Sequence, residues 1–409
     1  MLDLFYSKNR VFYFSFLLLL VSSLSWYKTS SAIEYYNIHA FIRVIAILLV
    51  FFLSIAIFLL NDMKVSFFSK KLQLGFFCYA ISSCLASALY LSPIGVWKGF
   101  ELLVVFIWSV TVLGTHKYND LQLQNAFKVT ACFLGVILVY VFIGSLLSTD
   151  YIYSLNIFGY QILKSSFPSI NPNALGFYSL YFCVLLLLFD FHLEKKIVFI
   201  TLIAFGLWFF LNENSRSSYV AALVGLSLMA YFQAKKKIYG LHVLFLFFLF
   251  MSIYYISENV EYFLGYILRK GQSLENLMSG SGRLELARNV MPFIHDFEPF
   301  GRGIGFTREL YESGVMRNAS SHNSILDILV SGGVGGGVFV FCFVCFYMQS
   351  FFYLNKKPTK KNIVLFVMLS SFLIRGLTSS SLASFQLEIV LLFIITGGII
   401  NMKKSYPEL

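Results

Sequence analysis

Long apolar segments recur along the whole of this sequence, and they constrain its fold more than any other feature. A helix needs about 20 mostly apolar residues to cross a bilayer, and it also satisfies its own backbone hydrogen bonds there. Hydrophobic residues make up 58% of the chain and charged residues 12%. We identify twelve such segments: 11–26, 40–61, 73–92, 99–114, 127–147, 173–190, 197–212, 217–233, 240–256, 323–350, 362–380 and 385–401. The pattern predicts an all-α polytopic membrane protein with about 12 transmembrane helices.

Most of the connections between these segments alternate between rich and poor in lysine and arginine. Eighteen of these basic residues flank the segment ends that would share one side of a membrane. The short connections on the other side carry only Lys28, Lys98, Lys164 and Arg216. The positive-inside rule therefore places both termini in the cytoplasm, N-in and C-in. The net charge of +11 is then a consequence of topology, and we expect no nucleic-acid partner.

One connection is much longer than the others and divides the chain into three parts. We assign residues 1–256 to transmembrane helices 1–9, residues 257–322 to a large external (periplasmic) loop, and residues 323–409 to helices 10–12 with a short cytoplasmic tail. Within the loop, residues 283–294 form a helical stripe, with apolar residues at positions 284, 287, 290, 291 and 294. We expect a loop domain of helical character, with this helix lying on the spans.

Two arginines, Arg43 and Arg375, lie inside predicted spans. A charge at the bilayer centre costs about 2.5–3.5 kcal/mol on insertion scales, so such a residue faces a partner or a cavity. In one interpretation they reach lipid headgroups or pair with Glu101, Asp327 and Glu388, which also lie near external span ends. In the other they hold an anionic group, since a guanidinium binds phosphate oxygens in a bidentate manner.

The stretch SHNSILDILVSGGVGGG at 321–337 places a histidine, His322, directly before a glycine-rich span. His322 could cap this helix, but Ser321 or Asn323 can cap it equally well, so capping alone does not require a histidine. We interpret its five glycines as sites of close helix packing. The run PFGRGIGF at 299–306 predicts a tight turn, because the strand and acid of a dinucleotide site are missing around it.

Four blocks in order resemble the O-antigen ligase and Wzy-type O-antigen polymerase superfamily. They are NPNALGFYSL at 171–180, NSRSSYVAALVG at 214–225, SGRLELARNVMPFIHDFEPFGRGIGF at 281–306 and SHNSILDILVSGGVGGG at 321–337. The resemblance implies a GT-C-like glycosyltransferase of the bacterial inner (plasma) membrane. Such an enzyme takes a glycan from undecaprenyl diphosphate on the periplasmic face, and it needs no cofactor and no metal.

Carried onto this chain, the resemblance implies three catalytic residues: His322, Arg216 and Arg283. We expect five further residues to bind substrate: Arg375, Arg43, Arg288, Arg302 and Asn323. The arginines would stabilise the leaving diphosphate electrostatically, and His322 would accept the proton of the attacking hydroxyl.

The NPN block and the SRS form at 215–217 favour a polymerase, which would join lipid-linked repeat units into O-antigen or capsule-type polysaccharide with inversion. The alternative is a ligase that transfers the finished polysaccharide to lipid A core. A flippase for the same lipid-linked glycan is the alternative outside enzymes, although transporters often show internal repeats and none is evident here. The expected partners are the glycan donor, a glycan acceptor, membrane lipids, a chain-length regulator and a flippase.

Overall fold

The computed structural model is predominantly helical. It describes residues 8–24, 38–114, 120–147, 152–155, 161–163, 165–166, 169–188, 196–213, 215–234, 283–295, 298–316, 321–356 and 358–404. Within these ranges the helices are α1 Lys8–Ser22, α2 Ile38–Leu60, α3 Lys70–Leu89, α4 Pro93–Trp108, α5 Asp120–Leu147, α6 Pro172–Leu186, α7 Lys196–Asn212, α8 Arg216–Ala234, α9 Arg283–His295, α10 Phe306–Glu312, α11 Ser324–Lys356, α12 Lys360–Thr378 and α13 Leu387–Lys404. A π-helical turn, Ser109–Leu113, continues α4.

Eleven of the twelve predicted spans coincide with a helix. The remaining one, 240–256, which is ninth along the chain, lies outside the described residues. Six helices of the described ranges are long and apolar enough to cross a membrane: Phe41–Leu60, Lys70–Leu89, Pro93–Leu113, Gln124–Leu147, Ser324–Lys356 and Lys360–Thr378. Five more are apolar but shorter, such as Pro172–Leu186. Hydropathy found the helices, but local signals such as the cap of Asn171 with Pro172 set where they begin.

The all-α fold class is confirmed. Within the described residues, four short strands lie in the connection before α6. Strands β1 (Ile152–Leu155) and β2 (Gln161–Leu163) pair antiparallel, with Ile152 opposite Leu163. Strands β3 (Ser165–Ser166) and β4 (Ser169–Ile170) form a second, shorter ladder. Pairing satisfies backbone groups that an unstructured connection would leave without partners. Neither ladder has the alternating apolar pattern that would have marked it in the sequence.

The last helix, α13, forms the centre of the helical bundle. Its side chains from Ile389 to Ile395 are fully buried. Glycines let the other helices approach closely: a Cβ on Gly75 of α3 would lie 2.9 Å from the Cys342 side chain, and one on Gly225 of α8 would lie 2.9 Å from Val367. By contrast, α2 and α11 each present an exposed apolar face, as expected for a surface that meets lipid.

Helix α11 is broken at Gly333, and the break receives a segment of the long connection between α8 and α11. The φ and ψ angles of Gly333 are 51° and −126°. At the break the Arg302 N–H donates to the Val330 carbonyl (2.7 Å), and the Val334 N–H donates to the Pro299 carbonyl (3.0 Å). The predicted tight turn at 299–306 is therefore docked on a span. It supplies partners for backbone groups that the break releases.

Of the glycines around Gly333, Gly332 and Gly335 pack against another helix as interpreted from the sequence, whereas Gly336 and Gly337 meet only residues of α11 itself. A Cβ on Gly332 would lie 2.6 Å from the Tyr79 ring, and one on Gly335 would lie 2.4 Å from the Cys78 carbonyl oxygen. Both contacts are with α3. Small residues at this crossing let the two backbones approach closely.

The loop helix α9 covers the first half of α11. Leu286 and Val290 are buried in a small apolar cluster with Val330 of α11, and the Phe293 ring packs on Phe306 with centroids 5.0 Å apart. The predicted helix and its position on the spans are confirmed, but its buried face is rotated. Met291, which the predicted stripe included, is 45% exposed. The aromatic contact of Phe293 turns the helix, and a stripe assigned by spacing alone could not show this.

Candidate functional site

His322 lies in the turn that enters α11. Its φ angle is +54°, in the left-handed region that non-glycine residues seldom adopt. Such a conformation costs about 1–3 kcal/mol and persists only where the surrounding structure imposes it. The side chain is partly exposed. The turn therefore fixes the backbone of His322 at the end of the bundle.

The hydrogen bonds that cap α11 are made by the neighbours of His322. The Asn323 Oδ1 accepts from the N–H groups of Ile325 at 2.9 Å and Leu326 at 3.3 Å. The Ser321 hydroxyl donates to the Asn323 carbonyl (2.9 Å) and accepts from its N–H (3.1 Å). Asn323, predicted to bind substrate, thus acts as the helix cap. The cap does not require an imidazole at position 322.

Asp327 joins this capping turn to a second turn, residues 379–386, which connects α12 to α13. Its Oδ1 accepts from the Ser321 N–H at 3.3 Å, and its Oδ2 accepts from the Ser380 hydroxyl. The residue is 5% exposed. A buried carboxylate is tolerated when donors of this kind satisfy it. Asp327 therefore fixes the backbone of the turn that carries His322.

The 379–386 turn is bonded by side chains from three other helices. Ser324 of α11 donates to the Ser379 carbonyl at 2.7 Å and accepts from the Leu382 N–H at 3.0 Å. Tyr79 of α3 donates to the Ala383 carbonyl. Arg43 of α2 donates to the Phe385 carbonyl at 3.3 Å. Each of these ties the turn to a span distant in sequence. The turn is the point at which the polar contacts of this end converge.

Arg43 has a carboxylate partner in the structure. Its Nε donates to the Glu101 Oε1 at 2.6 Å while an Nη donates to the other oxygen, and the Trp97 indole N–H donates to the same carboxylate at 3.0 Å. The Glu101 side chain is 1% exposed. This is the bidentate pairing that the acid-partner interpretation anticipated.

Arg375, near the end of α12, also has a carboxylate partner. It forms a buried ion pair with Glu388 of α13. Its guanidinium lies 5.2 Å from the ring centroids of both Phe177 and Tyr178 on α6. Arg375 therefore connects α12, α13 and the beginning of α6.

Arg302 and Arg288 lie in the long connection between α8 and α11. Arg302 forms an ion pair with Glu298 (2.8 Å) and donates to the Tyr90 hydroxyl (3.0 Å) at the end of α3. The Tyr90 hydroxyl donates to the Glu298 carboxylate. Arg288 is exposed on α9. The cluster of Tyr90, Glu298 and Arg302 fastens the loop to the bundle.

The helix ends that carry the expected catalytic residues are neighbours. A Cβ on Gly176 of α6 would lie 2.7 Å from the Ser215 Cβ, directly before α8. A Cβ on Gly376, which follows Arg375, would lie 3.6 Å from the Ser324 Cβ of α11. Together with the Arg375 contacts, these place the beginnings of α6, α8 and α11 and the end of α12 at one end of the bundle.

Arg216 and Arg283 are the first residues of α8 and α9. Their side chains lie outside the described part of the chain. At a helix beginning, unpaired N–H groups and the helix dipole favour an anion. Leu286 and Val290 of α9 pack on α11 near Leu326, one turn after His322, so α9 lies at the same end of the bundle as the beginning of α8.

Sequence reasoning did not identify Ser324, Ser380 or the buried role of Asp327 in this site. The partners of Ser324 and Ser380 lie 53 to 58 positions away along the chain. Local patterns carry no information about such pairs. The one available signal was the serine run at 379–381, which is unusual between two apolar segments.

Within the described ranges, no three His, Cys, Asp or Glu side chains are grouped as ligands of a metal ion. All six cysteines are described, and each is a free thiol. The side chains assembled at the His322 end are hydroxyls, carboxylates, an imidazole and guanidinium groups. They can accept or donate protons and bind anions.

Comparison with protein families adds one finding. Residues 197–341 match the family model Wzy_C, described as O-antigen ligase. This range contains three of the four sequence blocks and includes Arg216, Arg283 and His322. It confirms the resemblance to the O-antigen ligase and Wzy-type superfamily. No protein with a curated description matches the chain.

Proposed function

We propose that this multi-pass membrane protein, whose residues 197–341 match the O-antigen ligase family model, is a polymerase of lipid-linked glycan repeat units. The donor would be a glycan on undecaprenyl diphosphate, and the reaction would take place at the periplasmic face of the bacterial inner membrane. The observation that carries the proposal is the His322 turn. It keeps a partly exposed histidine in a strained backbone conformation while its neighbours make the helix cap.

The arrangement of helix beginnings supports a site for a diphosphate next to this histidine. Arg216 and Arg283 each begin a helix at the His322 end, so side-chain charge and helix dipole act on the same region. Arg43 and Arg375 already hold the carboxylates of Glu101 and Glu388. We therefore give the phosphate role to Arg216 and Arg283, and we assign Arg43 and Arg375 to the assembly of the site.

The proposed reaction is an in-line displacement at the anomeric carbon of the donor sugar. An acceptor hydroxyl oxygen forms the new bond to that carbon as the bond to the phosphate oxygen breaks, which inverts the anomeric centre. Undecaprenyl diphosphate leaves with the bonding electron pair, and its charge is stabilised by Arg216 and Arg283. The imidazole of His322 accepts the hydroxyl proton. The proposed reaction uses no cofactor.

Two substitutions of one residue test the phosphate role. Purified protein is supplied with a synthetic lipid-linked repeat unit, and the glycan products are separated by length. We expect Arg216→Lys to slow elongation by about tenfold or more and Arg216→Ala to slow it further, because lysine keeps the charge but not the bidentate geometry. Arg308→Ala, which alters an exposed pair with Glu312, serves as the control. Full activity of Arg216→Lys would contradict bidentate binding.

A ligase is the second candidate, because the matching family model is described as O-antigen ligase. Both enzymes would use the same donor and the same residues, so the acceptor distinguishes them. Deletion of a polymerase gene leaves single repeat units on the lipid A core. Deletion of a ligase gene leaves bare core and accumulated lipid-linked polymer. Purified protein that only moves the lipid-linked glycan across a bilayer, without lengthening it, would instead support a flippase.

A further inference from the structure

A cavity of about 270 Å³ lies at the opposite, lysine-rich end of the bundle. It is formed by the beginning of α3, the second half of α11 and the end of α13. The polar side chains that line it are those of Ser69, Lys70, Lys71, Gln349, Ser350 and Tyr353. Phe346, Ile399 and Ile400 form its apolar wall. Small-molecule sites typically span about 300–1,000 Å³, so this volume suits a compact polar group.

A second, much smaller recess of about 10 Å³ adjoins this cavity and contains a polar atom without a partner among the described residues. This recess shares Ser350, Tyr353 and Ile399 with the cavity and is also lined by Asn362 of α12. Asn362 is 7% exposed, and no described group donates a hydrogen bond to its Oδ1. Leaving a buried acceptor unsatisfied costs about 1–3 kcal/mol. A ligand with a hydrogen-bond donor would remove this cost.

The mouth of the cavity is suited to an anion. Lys70 and Lys71 are exposed and are the first two residues of α3, and the Ser69 side chain makes no capping hydrogen bond to this helix. The described residues place no carboxylate within ion-pair distance of either lysine. Two cations at an uncapped helix beginning favour a phosphate group.

The outer wall of the cavity continues into a lipid-facing surface. Phe341, Val344, Met348 and Phe352 form an exposed apolar ridge along α11, beside the cavity residues Cys345 and Gln349. A ligand held at the lysines could therefore lay hydrocarbon chains against this ridge. An anionic group fits the lysines, a hydrogen-bond donor fits the Asn362 Oδ1, and hydrocarbon fits the α11 ridge. These three features together suit an amphipathic ligand.

We propose that this cavity binds the headgroup of an acidic phosphoglycerol phospholipid taken from the bilayer. Its phosphate lies between Lys70 and Lys71, a headgroup hydroxyl donates to the Asn362 Oδ1, and its acyl chains run along the α11 ridge. This site is separate from the His322 end, and its occupancy does not depend on glycan transfer.

The test is retention of lipid by the full-length protein, measured by native mass spectrometry after incubation with phosphatidylglycerol or phosphatidylcholine in detergent. We expect at least about a tenfold preference for phosphatidylglycerol, lost in the Lys70→Gln/Lys71→Gln variant, since charged hydrogen bonds are the strongest contacts available. The control, Lys64→Gln/Lys128→Gln, removes the same charge from two exposed lysines outside the cavity, and it should bind like the wild type. The Asn362→Leu variant should lose part of the preference.

Three results would overturn the proposal. Equal retention of the two lipids would show that no headgroup site exists, and equal loss in the control variant would show a general charge effect. Full displacement of the lipid by glycerol 3-phosphate would show a site for a free anion. If the lysine variant does not fold, alkylation of Cys345 in the wild type decides: phosphatidylglycerol should slow it, and an unchanged rate contradicts the proposal.

Discussion

Two buried polar side chains, Asp327 and Asn362, show how the two ends of this bundle differ. Both are more than nine-tenths buried. Asp327, at the His322 end, accepts from Ser321 and Ser380, whereas the Oδ1 of Asn362, at the lysine-rich end, lacks a donor among the described residues. A satisfied polar network fixes one conformation, and an unsatisfied group is free to take a ligand. The Asp327 turn is thus organised by the protein itself, whereas the recess at Asn362 leaves room for another molecule.

The largest effect on stability is expected at the ion pair between Arg43 and Glu101, one of two buried ion pairs that the described residues form at the His322 end. Arg43→Gln should lower stability by about 3–5 kcal/mol, because the Glu101 carboxylate remains buried without its cation. Arg308→Gln, in the exposed pair with Glu312, should cost less than about 0.5 kcal/mol. Denaturant titration in detergent measures both values. Equal costs would show that the two pairs are equivalent and that the His322 end does not depend on buried polar contacts.

The next effect concerns the break in α11. Gly333→Ala should destabilise the protein by about 3 kcal/mol, since the φ of +51° is strained for alanine and the new Cβ would lie 2.4 Å from the Glu298 carbonyl oxygen. Gly337→Ala is the matched control, because its Cβ would meet only Leu329 at 3.8 Å. In a helix that change should stabilise by up to about 1 kcal/mol. A Gly333→Ala protein as stable as the Gly337→Ala protein would contradict the docking of the loop at the break.

A third pair of variants directly tests the difference between the buried side chains of Asp327 and Asn362. Asp327→Leu should cost about 1–3 kcal/mol, because it leaves the Ser321 N–H and the Ser380 hydroxyl without an acceptor. Asn362→Leu should be nearly neutral in lipid-free detergent, within about 0.5 kcal/mol, since no donor loses its partner. If both changes cost the same, the two ends do not differ in the way described.

A small effect, in the stabilising direction, is expected at the histidine itself. His322→Gly removes the imidazole and accommodates the φ of +54°, so stability should stay equal or rise by up to about 1 kcal/mol. A residue retained for packing would show the opposite, a clear loss. The midpoint of thermal unfolding in detergent distinguishes the two outcomes.

The spans and the loop helix were accessible from the sequence because each depends on residues close to one another along the chain. Hydropathy reports lipid exposure, and the stripe in 283–294 reports a helix. The break at Gly333, the docked loop and the 379–386 turn depend on residues brought together from distant segments. The glycine run predicted close packing, but it could not show that one of those glycines would admit the Pro299 carbonyl.

The candidate site was predicted in part. The position of His322 before a span and the helix beginnings at Arg216 and Arg283 followed from local patterns. The acid partners of Arg43 and Arg375 were considered among several possibilities, and only the fold places Glu101 and Glu388 beside them. Roles that depend on side-chain partners across the bundle require the tertiary structure.

The most direct test of the central claim is glycan elongation by purified protein with a lipid-linked repeat unit as donor and acceptor. The wild type should produce a ladder of products and release undecaprenyl diphosphate. The His322→Gly variant should be slower by at least about 100-fold while its thermal midpoint is maintained, as expected when a general base is removed. A His322→Gly protein that elongates glycan at the wild-type rate would contradict the assignment of this end of the bundle as the catalytic site.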